Sequence, residues 1–438
     1  MTNSIKINAF TGMNNVRTAS DNLKAPSLIL NADTTAEGRL TRRAGQTKVI
    51  DLAGAYSLWA CKFAMLVAAG GSLYRIHQGV ASSLGSLSGP EAPLSYSEAN
   101  GKAYISNQHW NGVFNPGTLL LESWGIPLPE APRLSVIAGN LPAGIYHVCF
   151  TVSTGDEISG NGPISQITLE DNEGIGIGNL PANSLVWVTD PDGEKFFYAG
   201  NASSIVSLIS VEPLPTFLCY PPEPMGNICF AFGRMWGSRD NVLIYTEPYQ
   251  LGLTQNTNRF ELDQKITMIA RVTTGLFVGL ENRTVFFAGT EPTKMIQMDA
   301  GSGAVKGTLC YCNNLGELAD VLGTSEKVYV DVPVWLSQEG IVSGNTSGRL
   351  FNLTNNKVKF SPPESGAALY RDVNGAFQFL ISFPSGQAGS GVRANDKKVL
   401  EAFKDGHLRG TQTGGELDIA SFSDNAICEV YRNGEPVI

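Results

Sequence analysis

The sequence predicts an all-β fold: a β-propeller-like body with an inserted immunoglobulin- or fibronectin-like β-sandwich. Three observations support this class. Only 16% of the 438 residues are charged, and the chain carries 48 Gly and 23 Pro, a composition typical of short strands joined by turns. Pairs of apolar strands around a turn recur about six times. Two of these pairs resemble each other at a spacing close to one propeller blade.

The hairpin units are recognised by apolar strands that flank turn residues. The first unit, "YSLWACKFAMLVAAGGSLYRI", turns at Gly70 and Gly71, and the second, "APLSYSEANGKAYISNQHWNGVFN", turns at Asn100 and Gly101. Asn-Gly and Gly-Gly pairs favour the tight turns of β-hairpins because both residues tolerate positive φ. Four further units occupy residues 227–248, 266–292, 332–354 and 366–384.

Two of these units form an internal repeat. Gly233 and Gly237 are followed about 42 residues later by Gly275 and Gly279, and a blade of four strands has about 40 to 50 residues. Both units end on Thr-Glu-Pro, at residues 246–248 and 290–292. The simplest interpretation of this ending is that Pro stops a strand while Glu stays solvated.

Residues 132–214 interrupt the hairpin pattern and have the length of a small β-sandwich. Pro-rich linkers flank them, "WGIPLPEAPR" before and "VEPLPTFLCYPPEPMG" after, and such linkers are extended and stiff. The predicted organisation has five parts. They are an arm with the first strands (1–50), the first propeller blades (51–131), the inserted sandwich (132–214), further blades (215–384), and a Gly- and Ser-rich C-terminal segment that is a candidate for closing the propeller (385–438).

Composition also excludes several classes of protein. The net charge of −9 argues against a protein that grips nucleic-acid backbones, since such binding needs Lys and Arg. We expect no signal peptide, because residues 1–10 are polar, and no membrane segment, because no apolar run approaches about eighteen residues. The seven cysteines are expected to be reduced thiols, most of them small buried side chains.

The motif search predicts no catalytic, cofactor-binding or metal-binding residues. The four His form no His-Glu-x-x-His motif, and no Cys-x-x-Cys is present. Cys310 and Cys312 would face the same side of a strand, and we expect both to be buried. The glycines at 174–178 are interpreted as a turn between sandwich strands, because no helix follows them. The Gly-rich residues 301–307 lack the spacing of a phosphate-binding loop. We therefore do not expect an enzyme.

Two alternative functions depend on carboxylates and tryptophans. Asp156 with Glu157, and Asp190 with Asp192, lie in predicted turns, whereas a glycan-cleaving enzyme needs two carboxylates that converge across a pocket. The tryptophans beside the hairpins are expected to pack between blades; they are Trp59, Trp110, Trp124, Trp236 and Trp335. A carbohydrate- or receptor-binding adhesin would instead expose aromatic rings along a groove.

The order of motifs over about residues 10–354 resembles one family. The motifs are "FTGMNNVRTASDNL", "EGRLTRRAGQTKVI", "LPAGIYHVCFTVSTGDEISGNGPIS", "VTDPDGEKFFYAG", "PPEPMGNICFAFGRMWGSRDNVLIYTEP", "ITMIARVTTGLFVGLENRTVFFAGTEP" and "VWLSQEGIVSG". In this order they resemble the tail nozzle, or packaged-DNA stabilisation, proteins of short-tailed bacteriophages. Residues 385–438 have no counterpart in that pattern.

The resemblance implies a virion structural protein, synthesised in the host cytoplasm, that works without a cofactor. It implies a hexameric ring below the portal and head-to-tail adaptor, which retains packaged double-stranded DNA and conducts it during ejection without sequence-specific binding. An acidic passage would repel phosphates and would not hold the DNA back. The inserted sandwich would lie on the outside or at a subunit contact, where receptor-binding proteins could dock. Tail fibre, needle or receptor-binding proteins are the further partners that the resemblance implies.

The arm supplies the candidate contact residues. Arg39, Arg42 and Arg43 surround the turn glycine Gly45, and the planar guanidinium of Arg can hold carboxylates or carbonyl groups bidentately. We predict that these arginines tie a subunit to its own propeller or to a neighbour. The alternative is that they are solvated residues on an edge strand, where they discourage aggregation.

Overall fold

The structure is a computed structural model. It describes residues 14, 16, 32–34, 39–42, 48–155, 157–207, 211–312, 331–355, 357–358, 362–373, 376–382, 431–432 and 435–436. No α-helix occurs among these residues, and their one helical element is a 3₁₀ turn at Pro292–Lys294. None of the helical structure described is long and apolar enough to span a bilayer.

The chain divides into two compact units. One consists of Val49–Asp263, and the other combines Met1–Lys48 with Gln264–Ile438. The second unit begins with the arm, in which β1 (Ala32–Thr34) and β2 (Leu40–Arg42) form an antiparallel pair. Each unit is described separately below.

The Val49–Asp263 unit opens with two four-stranded antiparallel sheets. Sheet I contains β3 (Tyr56–Ala60), β4 (Met65–Ala69), β5 (Ser72–His77) and β6 (Val80–Ser86). Sheet II contains β7 (Ser95–Ala99), β8 (Lys102–Ser106), β9 (Asn111–Asn115) and β10 (Leu120–Glu122). In both sheets each strand pairs with the next strand in the sequence, which is the meander arrangement of a propeller blade.

A β-sandwich follows. Its strands are β11 (Leu134–Leu141), β12 (Gly144–Thr154), β13 (Glu157–Ile158), β14 (Ser165–Leu169), β15 (Glu173–Ile177), β16 (Ser184–Thr189), β17 (Phe196–Gly200) and β18 (Ser204–Ile205). One sheet has the order β11-β15-β18, and the other has the order β13-β12-β16-β17 with β14 also paired to β12. The buried core between them includes Tyr146, Phe150 and Ile175.

Sheet III completes this unit and continues the blade pattern after the insertion. It contains β19 (Gly226–Ala231), β20 (Arg234–Arg239), β21 (Val242–Tyr245) and β22 (Arg259–Glu261) in chain order. Sheet II packs between its neighbours: Ile105 and Phe114 contact the sheet I core, and Tyr104 and Val113 contact the sheet III core. Sheets II and III are therefore direct neighbours although the sandwich separates them in sequence.

Serine hydroxyls join the first strands of neighbouring sheets in this unit. The Ser95 and Ser97 hydroxyls of β7 accept hydrogen bonds from the backbone N–H groups of Ile228 and Phe230 in β19, at 2.7 and 2.9 Å. The Ser57 hydroxyl of β3 accepts the Leu94 N–H at 2.8 Å. These bonds satisfy polar backbone groups that the ladder of each sheet leaves at its edge.

The second unit repeats the blade architecture. Sheet IV contains β23 (Ile266–Val272), β24 (Gly275–Leu280), β25 (Arg283–Ala288) and β26 (Ile296–Ser302), and sheet V contains β27 (Cys310–Cys312), β28 (Val332–Ser337), β29 (Gly340–Gly344) and β30 (Leu350–Asn352). Phe277, Trp335 and neighbouring side chains form the core between the two sheets. Two hairpins follow, β31 (Ala367–Val373) with β32 (Ala376–Ser382), and β33 (Tyr431–Arg432) with β34 (Glu435–Pro436).

The predicted fold class, all-β with a propeller-like body and an inserted sandwich, is confirmed. The six predicted hairpin units coincide with sheets I to V and with β31–β32. Their turn chemistry is also as predicted, since Gly70, Gly71, Asn100 and Gly101 have φ values between 50° and 71°. The predicted boundaries inside the chain stay predictions.

Candidate functional site

The arm arginines are only partly described. Arg39 and Arg42 are exposed, and Arg42 is paired with Ala32 across the β1–β2 hairpin. Arg43 and Gly45 lie outside the described residues. The role of Arg39, Arg42 and Arg43 as contact residues stays a prediction.

The two aspartates considered for glycan cleavage, Asp190 and Asp192, accept backbone hydrogen bonds within the sandwich. Asp192 Oδ1 accepts the backbone N–H of Ile145 at 3.1 Å, and the Asp190 carbonyl oxygen accepts the N–H of Gly193 at 3.0 Å. Glu157 lies exposed on β13, and Asp156 is outside the described residues. In the described part of the chain, no group of three or more His, Cys, Asp or Glu side chains is arranged to hold a metal ion.

The tryptophans mostly pack inside the sheets. Trp124, Trp236 and Trp335 are buried, and Trp59 and Trp110 are half-buried. The Trp59 ring stacks on Tyr96 with centroids 5.2 Å apart. The described tryptophans therefore contribute to the cores and do not form an open row of rings.

Two interpretations of strand and turn residues were wrong. Residues 174–178 are not a turn, because Glu173–Ile177 is the buried strand β15, which lies between β11 and β18. Glu247 of the first Thr-Glu-Pro ending is half-buried, and its carboxylate accepts the Asn258 amide at 2.7 Å and lies 3.9 Å from Arg234. Glu291 of the second ending is exposed and pairs with Lys294 at 2.7 Å.

The most constrained part of the Val49–Asp263 unit is the joint that attaches the sandwich. We define the joint as residues 159–162 of the sandwich with residues 128–129 of the entering linker and 216–219 of the leaving linker. Gly160 lies against the Cys219 carbonyl group so closely that no Cβ atom fits between them. A Cβ atom on Gly162 would lie 2.5 Å from the Pro129 carbonyl oxygen. Both glycines are needed because backbone approaches backbone, and one glycine contacts each linker.

Buried hydrogen bonds hold the joint together. The Thr216 hydroxyl donates to the Ser159 carbonyl oxygen at 2.7 Å, and the Asn161 side-chain oxygen accepts the Leu218 N–H at 2.7 Å. Ser159, Asn161 and Thr216 are all buried. The Ser159 hydroxyl also accepts the N–H of Val152 in β12 at 2.9 Å. The leaving linker is thus bonded to the central strand of the sandwich.

The leaving linker is also bonded to sheet II and to the loop between β21 and β22 of sheet III. Tyr220 and Thr254 exchange two backbone hydrogen bonds of 2.8 Å. The Asn111 side chain of β9 donates to the Pro222 carbonyl oxygen at 2.7 Å. The Ser106 hydroxyl of β8 accepts the Met225 N–H at 3.0 Å. These bonds continue from the joint into the blades without a gap.

At the beginning of the entering linker, the backbone again packs against backbone. The Trp124 indole N–H donates to the Leu251 carbonyl oxygen at 2.7 Å. A Cβ atom on Gly125 would lie 2.5 Å from the Gly252 carbonyl oxygen. Both linkers are therefore bonded to the blades close to the points where they join the sandwich. The sandwich consequently has a fixed orientation within this unit.

Burial raises the pKa of one thiol in the joint and of one tyrosine in sheet II. Burial raises the pKa of the Cys219 thiol, an effect partly offset by the hydrogen bond from Gln255. Burial, followed by the nearby carboxylates of Glu157 and Glu122, raises the pKa of Tyr104 to about 12. Both groups stay protonated at neutral pH.

The sequence assigned no role to the residues of the joint. Their signal was "SGNG", two glycines around an amide residue, placed directly after the strand β13. The pattern indicates close backbone contact, but nothing local identifies the partner, which lies about sixty residues further along the chain.

Comparisons with known proteins give only remote likenesses. No family model matches the chain, and no curated protein sequence matches it. Sqt1 of Saccharomyces cerevisiae is similar at 11% identity with a TM-score of 0.29, over 74% of this chain and 78% of Sqt1. BBS1N, solved in complex with ARL6DN, is similar at 9% identity with a TM-score of 0.28, over 77% and 95% of the two chains. PorZ of Porphyromonas gingivalis, a surface component of the type-IX secretion system, is similar at 11% identity with a TM-score of 0.20, over 73% of this chain and 43% of PorZ.

Proposed function

We propose that this chain is a structural component of a bacteriophage tail, a subunit of a ring-shaped nozzle that retains packaged DNA and conducts it during ejection. The observation that carries the proposal is the joint, because a tail component must hold a docking domain in a fixed orientation while DNA passes. The glycines and polar side chains of the joint lie in or beside the same motifs that resemble the nozzle family. The sandwich is then the part that receives fibre, needle or receptor-binding proteins.

Charge and the arm fit the same role. The net charge of −9 suits a passage through which DNA slides without being held. The exposed Arg39 and Arg42, with Arg43, would contact a neighbouring subunit in a closed ring of about six copies.

Light scattering of the purified chain, alone and mixed with the portal and adaptor proteins of the same virion, tests the proposal. We expect a ring of about six copies, or a monomer that forms one on the adaptor. Replacing Arg39, Arg42 and Arg43 by Ala should reduce ring formation, whereas Ala at the exposed Lys62 should not. A monomer or trimer that ignores the adaptor would exclude the nozzle function.

A second candidate function is a carbohydrate- or receptor-binding adhesin, and Tyr249 favours it. The Tyr249 side chain is 81% exposed, and its backbone has φ of 59°, an unusual value for a residue other than Gly. Its ring lies on Gly233, which has no side chain to displace it. Binding to a glycan array that is lost in Tyr249→Ala and kept in Tyr249→Phe would support the carbohydrate-binding adhesin; a blank array would exclude carbohydrate binding.

A further inference from the structure

Two thiols lie side by side on the short strand β27. Cys310 and Cys312 are two residues apart on this strand, so their side chains face the same side. Cys310 is half-buried and Cys312 is buried, and both are free thiols. The expectation that both would be buried is therefore wrong for Cys310, which solvent can reach.

The pairing of β27 with β28 shows which face the thiols occupy. Cys310 lies opposite Val334 and Cys312 opposite Val332, while Tyr311 lies opposite Pro333. Directly opposed side chains share a face, so Tyr311 points away from the thiols. On that other side the Tyr311 hydroxyl accepts the Arg271 N–H of sheet IV at 2.9 Å. Sheet IV therefore lies on the face opposite the thiols.

The thiols also interact with each other. The hydrogen bond that Cys310 donates to Cys312 is the main cause that raises the pKa of Cys310, and the same bond lowers the pKa of Cys312. The Cys310 S–H is thus the donor, and negative charge is favoured on the Cys312 sulfur. Cys149, by contrast, is a single buried thiol whose pKa burial alone raises to about 12.

We propose that Cys310 and Cys312 form a reversible disulfide within β27 by exchange with a small disulfide such as oxidised glutathione. Two residues of a strand span about 6.6 Å, which is near the upper limit of about 6.8 Å for the Cα atoms of a disulfide. A disulfide also needs its Cβ atoms about 3.5–4.5 Å apart, which is closer than same-face residues of an extended strand lie. The bond therefore strains β27 and is easy to reduce. The proposal goes beyond the tail function and does not depend on it.

The exchange balances in two steps. The Cys312 thiolate takes the proton of Cys310 while the Cys310 sulfur attacks one sulfur of oxidised glutathione, whose S–S bond breaks and releases one glutathione thiolate. That thiolate takes the proton from Cys312, and the Cys312 thiolate then attacks the Cys310 sulfur and releases the second glutathione. Two protein thiols are oxidised, and one glutathione disulfide is reduced to two thiols.

Mass spectrometry after treatment of the folded, full-length chain with oxidised glutathione tests the proposal. Trypsin releases residues 307–327, which hold both thiols and no other cysteine. We expect this peptide to lose two hydrogen atoms, to carry no glutathione, and to regain the hydrogens with dithiothreitol. Cys312→Ser should instead keep a glutathione adduct on Cys310.

The control variant Cys149→Ser should leave the product at 307–327 unchanged. The proposal is overturned if the native peptide stays reduced, or if it keeps a glutathione adduct as the Cys312→Ser peptide does. Because the readout is the mass of one peptide, it is independent of ring formation.

Discussion

Gly160 of the sandwich packs directly on the carbonyl group of Cys219 in the leaving linker. The contact joins residues that are about sixty positions apart in sequence, and it is flanked by the buried hydrogen bond between Thr216 and Ser159. A sandwich fixed in this way moves with the blades that carry it. The orientation of anything docked on the sandwich is then set by the blades as well.

Gly160→Ala should be strongly destabilising. The added methyl group would overlap a backbone carbonyl, which can move only if the linker moves, and overpacking of this kind costs about 1–3 kcal/mol or more. We expect a lower free energy of unfolding in urea and faster proteolysis of the leaving linker. Gly178→Ala is the matched control in the same sandwich, since its Cβ atom would have ordinary contacts of 3.6 and 3.7 Å. Equal behaviour of the two variants would show that the joint tolerates displacement.

The sequence predicted the parts of the fold that depend on local chemistry. Asn100-Gly101 specifies its turn through the backbone preferences of two adjacent residues, and alternating apolar residues specify the neighbouring strands. Such signals identified all six hairpin units.

Features that depend on distant residues could not be predicted in this way. The glycines at 174–178 resemble a turn, yet Gly174 lies in a strand whose backbone packs against Gly139 and Ile205. Glu247 resembles a solvated residue, but the fold brings Arg234 and Asn258 to it. The joint was not predicted for the same reason. Gly160 contacts Cys219, and only the folded path of the chain brings these two residues together.

Thr216→Val should weaken the joint while preserving its shape. Val has nearly the volume of Thr, but it leaves the Ser159 carbonyl oxygen without the donor that it has at 2.7 Å. Loss of a buried partner costs about 1–3 kcal/mol, and we expect a decrease of that size in the free energy of unfolding by urea. Thr257→Val is the control, because Thr257 is exposed and should change stability by less than about 0.5 kcal/mol. A decrease no larger than that of the control would contradict a contribution from this hydrogen bond.

Ser97→Ala should loosen the contact between sheets II and III. The substitution removes the Ser97 hydroxyl that accepts the N–H of the half-buried Phe230 at 2.9 Å. We expect a loss of about 1 kcal/mol and faster hydrogen exchange at the Phe230 amide. Ser82→Ala on the exposed outer strand β6 provides the comparison. Unchanged exchange at Phe230 would show that the serine contact does not protect this strand.

Stability should fall in alkaline solution partly because of Tyr104. Its pKa is about 12 in the folded chain against 10.0 for the ordinary phenol, with burial as the main cause and Glu157 as the next. Because the folded-state pKa is the higher one, the contribution of Tyr104 is complete below about pH 10 and is lost as the pH rises toward 12.

The free energy of unfolding should therefore decrease less over this range in Tyr104→Phe than in the native chain. If the free energy of unfolding depended on pH in the same way in Tyr104→Phe and in the native chain, this assignment would be contradicted. A smaller decrease of the free energy of unfolding in Glu157→Gln would show that the sandwich carboxylate acts on the tyrosine of sheet II.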